Sequence, residues 1–157
     1  METVNLICGF LGAGKTTFAK KLANEFSDHG AVWLNVDNIA IASHTKKELE
    51  NNWDGCFLQS YRACWEIIRN NPDLEFVLDA GFWSKKERDD ARKMAKDLNR
   101  PCVLFYVCAP EETLKERVKL RNNPMSEQHI KEWDRIKTLF EPPTDEENPI
   151  IIDTSKK

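Results

Sequence analysis

The turn that decides the fold follows a short apolar segment near the N-terminus, and it reads Gly9-Phe10-Leu11-Gly12-Ala13-Gly14-Lys15-Thr16. It is an ungapped G-x-x-x-x-G-K-T sequence. Glycines let the backbone adopt conformations closed to other residues, so that successive N–H groups point inward as an anion nest. The helix that follows directs its N-terminus at the same place. The pattern therefore predicts a phosphate-binding loop between a strand and a helix.

The positions of this loop have separate expected roles towards a nucleotide. Lys15 is expected to neutralise the outer phosphates, and the hydroxyl of Thr16 is expected to be a ligand of Mg²⁺. The alternative is a glycine-rich turn without a ligand, which the strand before the loop and the helix after it disfavour. We therefore expect ATP and Mg²⁺ as cofactors, with these nucleotide-binding residues: Gly9, Gly12, Ala13, Gly14, Lys15, Thr16 and Thr17.

The rest of the chain alternates between apolar runs and helical patterns. The apolar runs predict five strands, over Thr3–Cys8, Ala31–Val36, Leu74–Leu78, Cys102–Val107 and Pro149–Asp153. The helical patterns cover Thr16–Phe26, Gln59–Asn70, Ser84–Leu98, Glu111–Arg121 and Ser126–Phe140, with Ser84 and Ser126 as expected N-caps. The stretch from Asn38 to Asn52 is short helix or irregular. This order predicts an α/β protein whose parallel sheet is covered on both faces.

Composition limits the class of protein. The chain has 157 residues, of which 41% are hydrophobic, which fits one domain over 1–157. Its 23 basic and 26 acidic residues give a net charge of −3, so a general nucleic-acid or membrane binder is not expected. No apolar run is long enough to cross a bilayer, and the five cysteines form no C-x-x-C pair. We therefore expect a cytoplasmic protein without disulfides or structural zinc.

Two carboxylates follow predicted strands. In open α/β sheets ligands bind beyond the carboxyl ends of the strands, so Asp37 and Asp79 are expected in one crevice with the loop. Asp79 has the apolar-run-then-Asp form of a residue that holds Mg²⁺, and Asp37 is a candidate base for an attacking hydroxyl. Which of the two is the base stays open. Phe82 and Trp83, just beyond Asp79, either wall an acceptor pocket or pack in the core.

Two arginines lie on the helix predicted after the fourth strand. Arg117 and Arg121 are four residues apart, and therefore share one helix face, just before the break at Asn122-Asn123-Pro124. Cations at such a hinge neutralise charge on a transferred group when a lid closes. We therefore expect both arginines to be catalytic. The alternative is a solvated charged face, because the same helix carries several other charged residues.

With these residues in place, the chain resembles the small P-loop kinases that include zeta toxins, chloramphenicol phosphotransferases, polynucleotide 5′-hydroxyl kinases and predicted kinases of the AAA-family ATPase type. The resemblance covers nearly the whole chain. It is carried by Gly9–Thr17, Asp37, Leu78–Trp83 with Glu87-Arg88, Pro110–Glu112 leading to Arg117 and Arg121-Asn122, and Trp133 with Phe140–Pro143. It implies a P-loop NTPase three-layer sandwich, strand order 2-3-1-4-5, and a helical lid around 117–130.

The resemblance also implies roles for single residues. Lys15 and Thr16 take the phosphate and Mg²⁺ positions, Asp37 that of the catalytic base, and Arg121 that of the lid arginine. Polynucleotide kinases of this group carry an arginine three residues after the base, where this chain has Ala40. A nucleic-acid end is therefore a disfavoured acceptor.

These observations predict an ATP-dependent phosphotransferase that acts on the hydroxyl of a small molecule or nucleotide. The alternative is an ATP-binding NTPase or nucleotide-sensing module without an acceptor. A GTPase is a weaker possibility, since the chain lacks the guanine-selecting Asn-Lys-x-Asp sequence.

Overall fold

Five parallel strands form the centre of the molecule. A computed structural model describes residues 2–26, 30–121 and 124–156, and the strands within it are β1 (Val4–Cys8), β2 (Ala31–Asn35), β3 (Glu75–Gly81), β4 (Cys102–Cys108) and β5 (Ile150–Asp153). Their order in the sheet is β2-β3-β1-β4-β5, and each neighbouring pair is parallel. This confirms the predicted α/β class and strand order.

Among the described residues, eight α-helices connect or flank these strands: α1 (Lys15–Glu25), α2 (Val36–Ser43), α3 (Lys46–Asn51), α4 (Trp53–Asn70), α5 (Lys85–Asp97), α6 (Glu111–Leu120), α7 (Pro124–Lys131) and α8 (Trp133–Ile136). Short 3-10 turns cover Lys137–Leu139 and Asp145–Glu147. Within the described parts of the chain, no helix is both long and apolar enough to span a membrane.

Two apolar clusters give the three-layer arrangement. The first packs the buried faces of α4 and α5 against the sheet, with Trp65, Ile68 and Ala91 among its members. The second packs α1, α6 and α8 against the other side, with Ala19 and Val118 as examples. The central strand β1 is buried along its whole length, so the loop that leaves it rests on a rigid base.

The region after β2 contains more helix than the sequence pattern indicated. Residues 38–52, which were ambiguous, form most of α2 and all of α3. Helix α4 begins at Trp53 rather than at Gln59, because the side chain of Asn52 accepts a hydrogen bond from the N–H of Gly55 at 3.0 Å and caps the extra turns. These early turns of α4 bring new side chains to the site described below.

The predicted single helix over Ser126–Phe140 is wrong in two respects. Helix α7 begins at Pro124, a residue suited to a first helical position, so Ser126 lies inside the helix and is not its cap. The chain then breaks at Glu132 and continues as α8, where Trp133 is buried and donates to the carboxylate of Glu111 at 2.7 Å. Of the predicted lid segment, residues 122 and 123 lie outside the described residues.

A buried ion pair ties α5 to the segment before β5. The guanidinium of Arg88, which is fully buried, donates from Nε to Glu147 at 2.9 Å and from Nη1 to the carbonyl of Phe82 at 2.9 Å. Arg92 adds a bond of 2.9 Å to the same carboxylate. Burial alone would raise the pKa of Glu147, but hydrogen bonds from Arg88, the Thr144 N–H and Arg92 lower it to about 2.

Replacement of Arg88 by methionine is expected to destabilise the fold by roughly 3 kcal/mol, because the buried carboxylate of Glu147 loses both hydrogen bonds from Arg88 and keeps only those from Arg92 and the Thr144 N–H. The lowered pKa means that this carboxylate stabilises the native state above its unfolded pKa of about 4.5, and that the stabilisation is lost as pH falls from there towards 2. Urea unfolding across this pH range measures both effects. The matched control Lys86→Met removes an exposed ion pair on the same helix and is expected to cost less than about 1 kcal/mol. Equal costs for the two variants would contradict this account.

Candidate active site

The turn between β1 and α1 has the geometry of an anion nest. Gly12 and Gly14 have positive φ angles of 76° and 89°, and Gly14 is the N-cap of α1. In the part of the chain that the structure describes, no side chain caps this helix. The N–H groups of its first turn are therefore available to an anion, and the helix dipole favours negative charge there.

Gly9 fixes the start of this loop against the neighbouring strands. A Cβ at this position would stand 2.5 Å from the carbonyl oxygen of Val107, which only glycine avoids. The Gly9 N–H donates to Gly81 at 3.1 Å, and the Gly9 carbonyl accepts from the indole Nε1 of Trp83 at 3.1 Å. The loop is thus attached to the carboxyl end of β3.

Lys15 is turned back towards its own loop. Its Nζ donates to the carbonyls of Gly9 at 2.9 Å and Phe10 at 3.2 Å. Burial lowers the pKa of Lys15, an effect that the nearby Asp79 and Asp37 carboxylates oppose. The ammonium group is therefore held by weak neutral partners, and an anion in the nest would be a stronger one.

The carboxylate of Asp79 is buried near the carboxyl end of β3 and accepts hydrogen bonds from three side chains. Its Oδ2 accepts from Asn35 at 2.9 Å, and from the Thr16 hydroxyl and the Trp33 indole at 3.4 Å each. Asn35 lies opposite Asp79 in the register of the β2–β3 pair. The predicted meeting of Thr16 and Asp79 is thus present, whereas Asn35 and Trp33 were not anticipated as partners.

Asp37 lies in the first turn of α2 and not at the end of β2. Asn35 caps this helix by accepting from the N–H of Asn38 at 2.8 Å, and so directs the first turn of α2 into the cleft. The Asp37 side chain is accessible to solvent, yet desolvation by the surrounding cleft and repulsion from Asp79 raise its pKa, while Lys15 lowers it. A raised pKa brings a carboxylate closer to the range useful for a general base.

The two arginines of α6 have different surroundings. Arg117 donates to the carbonyl of Gly12 at 3.1 Å and to the hydroxyl of Thr154 at 2.7 Å, while Thr154 donates to the carbonyl of Ala13 at 2.8 Å. Arg117 therefore joins the phosphate loop to the chain after β5, and it is absent from the described lining of the cleft. Arg121, one turn later, does line the cleft. We expected Arg117 and Arg121 to share one helix face towards a transferred group. In the structure, only Arg121 lines the cleft.

The cleft beside the loop has a volume of about 520 Å³. It contains the predicted residues Gly12, Lys15, Thr16, Asp37, Asp79 and Arg121, and also Leu11, Asn35, Trp53, Asp54, Phe57, Ala80, Gly81, Trp83 and Glu87. The sequence allowed either a pocket position or a core position for Trp83. The residue has both roles, since it lines the cleft and packs on Phe10 with ring centroids 5.0 Å apart. Phe82 is buried outside this cleft.

Trp53, Asp54, Phe57 and Glu87 were not predicted as cleft residues. The first three lie on the early turns of α4, which the sequence pattern did not reveal. In the sequence, Glu87 has the position of the second half of a capping box, three residues after the expected N-cap Ser84. Ser84 does accept from the Glu87 N–H at 3.1 Å, but the return bond from the Glu87 carboxylate is not formed within the described residues. The signal that could have placed Glu87 at the site is its position in the first turn of α5, the helix that follows β3.

The cleft fits a nucleotide with Mg²⁺. The nest and Lys15 suit a chain of phosphates, and the glycine at position 12 lets the loop pack closely against α6, since a Cβ there would meet the Leu114 carbonyl at 2.6 Å. The Thr16 hydroxyl and the Asp79 carboxylate offer the oxygen ligands that Mg²⁺ prefers, at the end of the nest.

Substitution of Gly12 by alanine is expected to abolish nucleotide binding, because the added Cβ would both strain the positive φ and collide with the Leu114 carbonyl. The matched control is Gly30→Ala. Gly30 also has a positive φ, of 61°, but a Cβ there meets nothing within 4 Å. Both variants are expected to lose some stability, and only Gly12→Ala should lose the thermal shift that ATP produces. A normal ATP shift in Gly12→Ala would contradict the assigned cradle.

Comparison with known proteins agrees with this geometry. A family model described as an AAA domain matches residues 4–143. A hemin import ATP-binding protein, HmuV, from Idiomarina loihiensis is 33% identical over 93 residues, which cover 57% of this chain and 32% of that protein. The chain thus spans about a third of the length of this curated relative.

Two solved structures extend the similarity to the whole chain. A sugar kinase from Janibacter superposes with a TM-score of 0.70 at 18% identity, covering 100% of this chain and 87% of the other. A gluconokinase from Sinorhizobium meliloti gives 0.69 at 16% identity, covering 99% and 84%. At these identities the likeness establishes the fold. Together with the family match, it shows that the chain belongs to the AAA-domain family and has the kinase-like P-loop fold within it.

Proposed function

We propose that this protein is an ATP-dependent phosphotransferase that moves the γ-phosphate to a hydroxyl of a small molecule. The observation that carries the proposal is the position of Asp37. Its carboxylate shares one cleft with Lys15 and Thr16, and within the described residues it accepts no hydrogen bond. A carboxylate with a raised pKa and a free face, beside a phosphate nest, is suited to receive a proton from an acceptor.

The proposed transfer exchanges one O–P bond for another and moves one proton. The acceptor oxygen forms a bond to the γ-phosphorus, the bond between that phosphorus and the β–γ bridging oxygen breaks, and ADP leaves with the bridging oxygen. The hydroxyl proton passes to Asp37 and then to solvent. Lys15 and Arg121 neutralise charge on the transferred group. Mg²⁺, held by Thr16 and Asp79, would supply further neutralisation of the phosphate oxygens when bound.

The remaining loop residues have binding or positioning roles in this proposal. Backbone N–H groups from Gly12 and from Gly14 through Thr17 surround the phosphates, while the N–H groups of Gly9 and Ala13 donate to the carbonyls of Gly81 and Phe10 and hold the shape of the loop. Arg117 acts through the loop and not on the phosphate, because its guanidinium is engaged by the carbonyl of Gly12 and by Thr154. A positioning role for Arg117 predicts that its loss weakens ATP binding more than it alters the pH profile.

The names of the similar proteins support the same class of reaction. The curated relative is called an ATP-binding protein, and both solved structures are kinases of hydroxyl-rich molecules. The same relative is named for import, which favours one alternative, an ATPase or nucleotide sensor without an acceptor. We propose that the protein acts in the cytoplasm, where ATP is supplied.

A labelled-phosphate screen tests the proposal. The protein is incubated with Mg²⁺ and ATP radiolabelled in the γ-phosphate, with and without a pool of sugars, amino sugars, nucleosides and RNA ends, and the products are separated. We expect label in an organic product that depends on the pool. Label that enters only inorganic phosphate, at a rate that the pool does not change, would support the acceptor-free alternative. A parallel reaction with GTP tests the nucleotide.

A further inference from the structure

The cleft beside the phosphate loop continues into a second cavity of about 240 Å³ between α4 and α5. Phe57, Ala80 and Glu87 line both spaces, so the two form one groove. We call the part lined by Trp53, Asp54, Phe57 and Glu87, together with the second cavity, the acceptor groove. The second cavity is lined by no residue of the phosphate loop, and the cleft that it joins contains Asp37, the proposed base.

Charge is divided unequally along this groove. The cations that line it within the described residues are Lys15 and Arg121, and both belong to the cleft with the phosphate loop. The acceptor groove carries carboxylates from Asp54, Glu87 and Asp90 and no cation from the described lining. Bound ATP would engage the two cations, so an acceptor would meet negative charge.

Two of these carboxylates, both exposed to solvent, lack a partner within the described residues. Asp90 is paired with Lys86 at 2.8 Å. In contrast, no hydrogen bond or ion pair of the described residues reaches the carboxylates of Asp54 or Glu87. Both lie in the first turn of a helix, where the helix dipole favours an acid, but the dipole does not require that the side chain line a groove. Their placement is explained if a cation binds there.

Aromatic side chains supply the second feature of the acceptor groove. Trp53 is 39% exposed, which is unusual for a large ring, and its ring lies 6.5 Å from that of Phe57 at an interplanar angle of 41°. Open aromatic faces pack against the carbon skeleton of a small ligand and also attract ammonium groups. Aromatic faces beside unpaired carboxylates fit a ligand that combines a carbon skeleton with positive charge.

We propose that the phosphoryl acceptor is a cationic hydroxyl compound, an amino sugar or amino alcohol, whose ammonium group binds Asp54 and Glu87 and whose carbon skeleton packs on Trp53 and Phe57. This proposal rests on the phosphotransferase function proposed above. Transfer forms the new O–P bond at a hydroxyl, while the ammonium group keeps its protons and only positions the molecule. Carboxylate- or phosphate-bearing acceptors are disfavoured by repulsion from the same side chains.

Ligands of equal carbon number that differ in the charge of one functional group test the proposal. D-glucosamine, D-glucose and D-gluconate share a six-carbon chain and are cationic, neutral and anionic; ethanolamine, ethylene glycol and glycolate form a shorter series. Binding is measured by calorimetry with Mg²⁺ and a non-hydrolysable ATP analogue, at a pH where the amines are protonated. We expect each cationic ligand to bind about tenfold more tightly than its neutral counterpart, and the anion to bind weakest, since two exposed ion pairs add.

Variants assign the preference to the two carboxylates. Asp54→Asn and Glu87→Gln are each expected to weaken glucosamine binding about three- to fivefold and to leave glucose binding unchanged. The control Asp73→Asn neutralises an exposed acid outside the groove and should alter the binding of neither glucosamine nor glucose. Trp53→Ala should weaken the binding of both ligands. Nucleotide binding by each variant shows that it is folded.

The outcomes separate this proposal from the function on which it rests. Equal or tighter binding of the anionic ligands, no binding of any ligand in the two series, or a cation preference that survives the double variant Asp54→Asn/Glu87→Gln would overturn the acceptor class. Preferential binding of the amines without transfer of the γ-phosphate to them would leave the acceptor groove assigned and would count against the phosphotransferase function.

Discussion

Replacement of Lys15 by methionine is expected to lower the rate of ATP turnover by roughly two to three orders of magnitude and to weaken ATP binding, because the cation nearest the nest is removed. Methionine keeps the unbranched apolar stem, so the packing of the loop changes little. The pKa of Lys15 is lowered mainly by burial, which means that the charged form is disfavoured here relative to water unless a bound anion stabilises it. The variant without nucleotide should therefore be as stable as the native protein or slightly more so.

Thermal unfolding with and without ATP measures the stability of the variant and its ATP binding, and steady-state kinetics measures its turnover. The matched control is Lys20→Met on the same helix. Lys20 lies over the ring of Trp33 at 4.9 Å and not in the cleft, so its loss should leave turnover and the ATP-induced shift unchanged. Native turnover in Lys15→Met, or an equal loss in Lys20→Met, would remove Lys15 from the proposed chemistry.

The variant Asp37→Asn is expected to lose phosphoryl transfer by about 10²- to 10⁴-fold while ATP binding persists, because asparagine fills the same space but cannot accept the proton. Neutralisation of Asp37 also removes its favourable interaction with Lys15, so a modest change in ATP affinity is compatible with the role. Transfer is measured with the acceptor that the screen identifies. Asn38→Asp, one residue further along α2, tests whether a nearby carboxylate can substitute.

The pH dependence gives an independent check on Asp37. Desolvation raises its pKa above the ordinary value of 3.8, and the base acts only when deprotonated. The value of kcat/KM should therefore rise with pH through an acidic limb above that value, and fall again at high pH as Lys15, whose pKa is lowered, loses its proton. The acidic limb should disappear in Asp37→Asn. An unchanged limb with full transfer in that variant would show that another group is the base.

Local sequence signals predicted the scaffold of this site because they act over short distances. The glycine pattern after β1 and the apolar runs before Asp79 are sufficient to place a phosphate loop and its neighbours at one sheet edge. The strand order was implied by the resemblance to small P-loop kinases, and the structure confirms it. What local pattern could not supply was the position of Asp37 within a helix, since that depends on Asn35, which serves both Asp79 and the cap of α2.

The acceptor side was least predictable, for physical reasons that differ between residues. Trp53 and Asp54 depend on a helix start that one asparagine cap decides. Glu87 fits a capping box, so its local role concealed its exposure to the cleft. Arg117 was expected to face phosphate, but its partner Thr154 lies 37 residues away and is invisible to helix-face reasoning.

The fate of the γ-phosphorus in water enriched in the heavy oxygen isotope distinguishes phosphoryl transfer to an organic hydroxyl from hydrolysis of ATP. The protein, Mg²⁺ and ATP are incubated with the amino sugar and neutral sugar panel, and phosphorus-containing products are analysed by mass spectrometry. Phosphoryl transfer predicts an organic phosphate whose oxygens are all of the light isotope, because no water oxygen becomes bonded to phosphorus. Appearance of all the γ-phosphorus as inorganic phosphate carrying one heavy oxygen, whatever the panel contains, would contradict the claim and identify the protein as an acceptor-free ATPase.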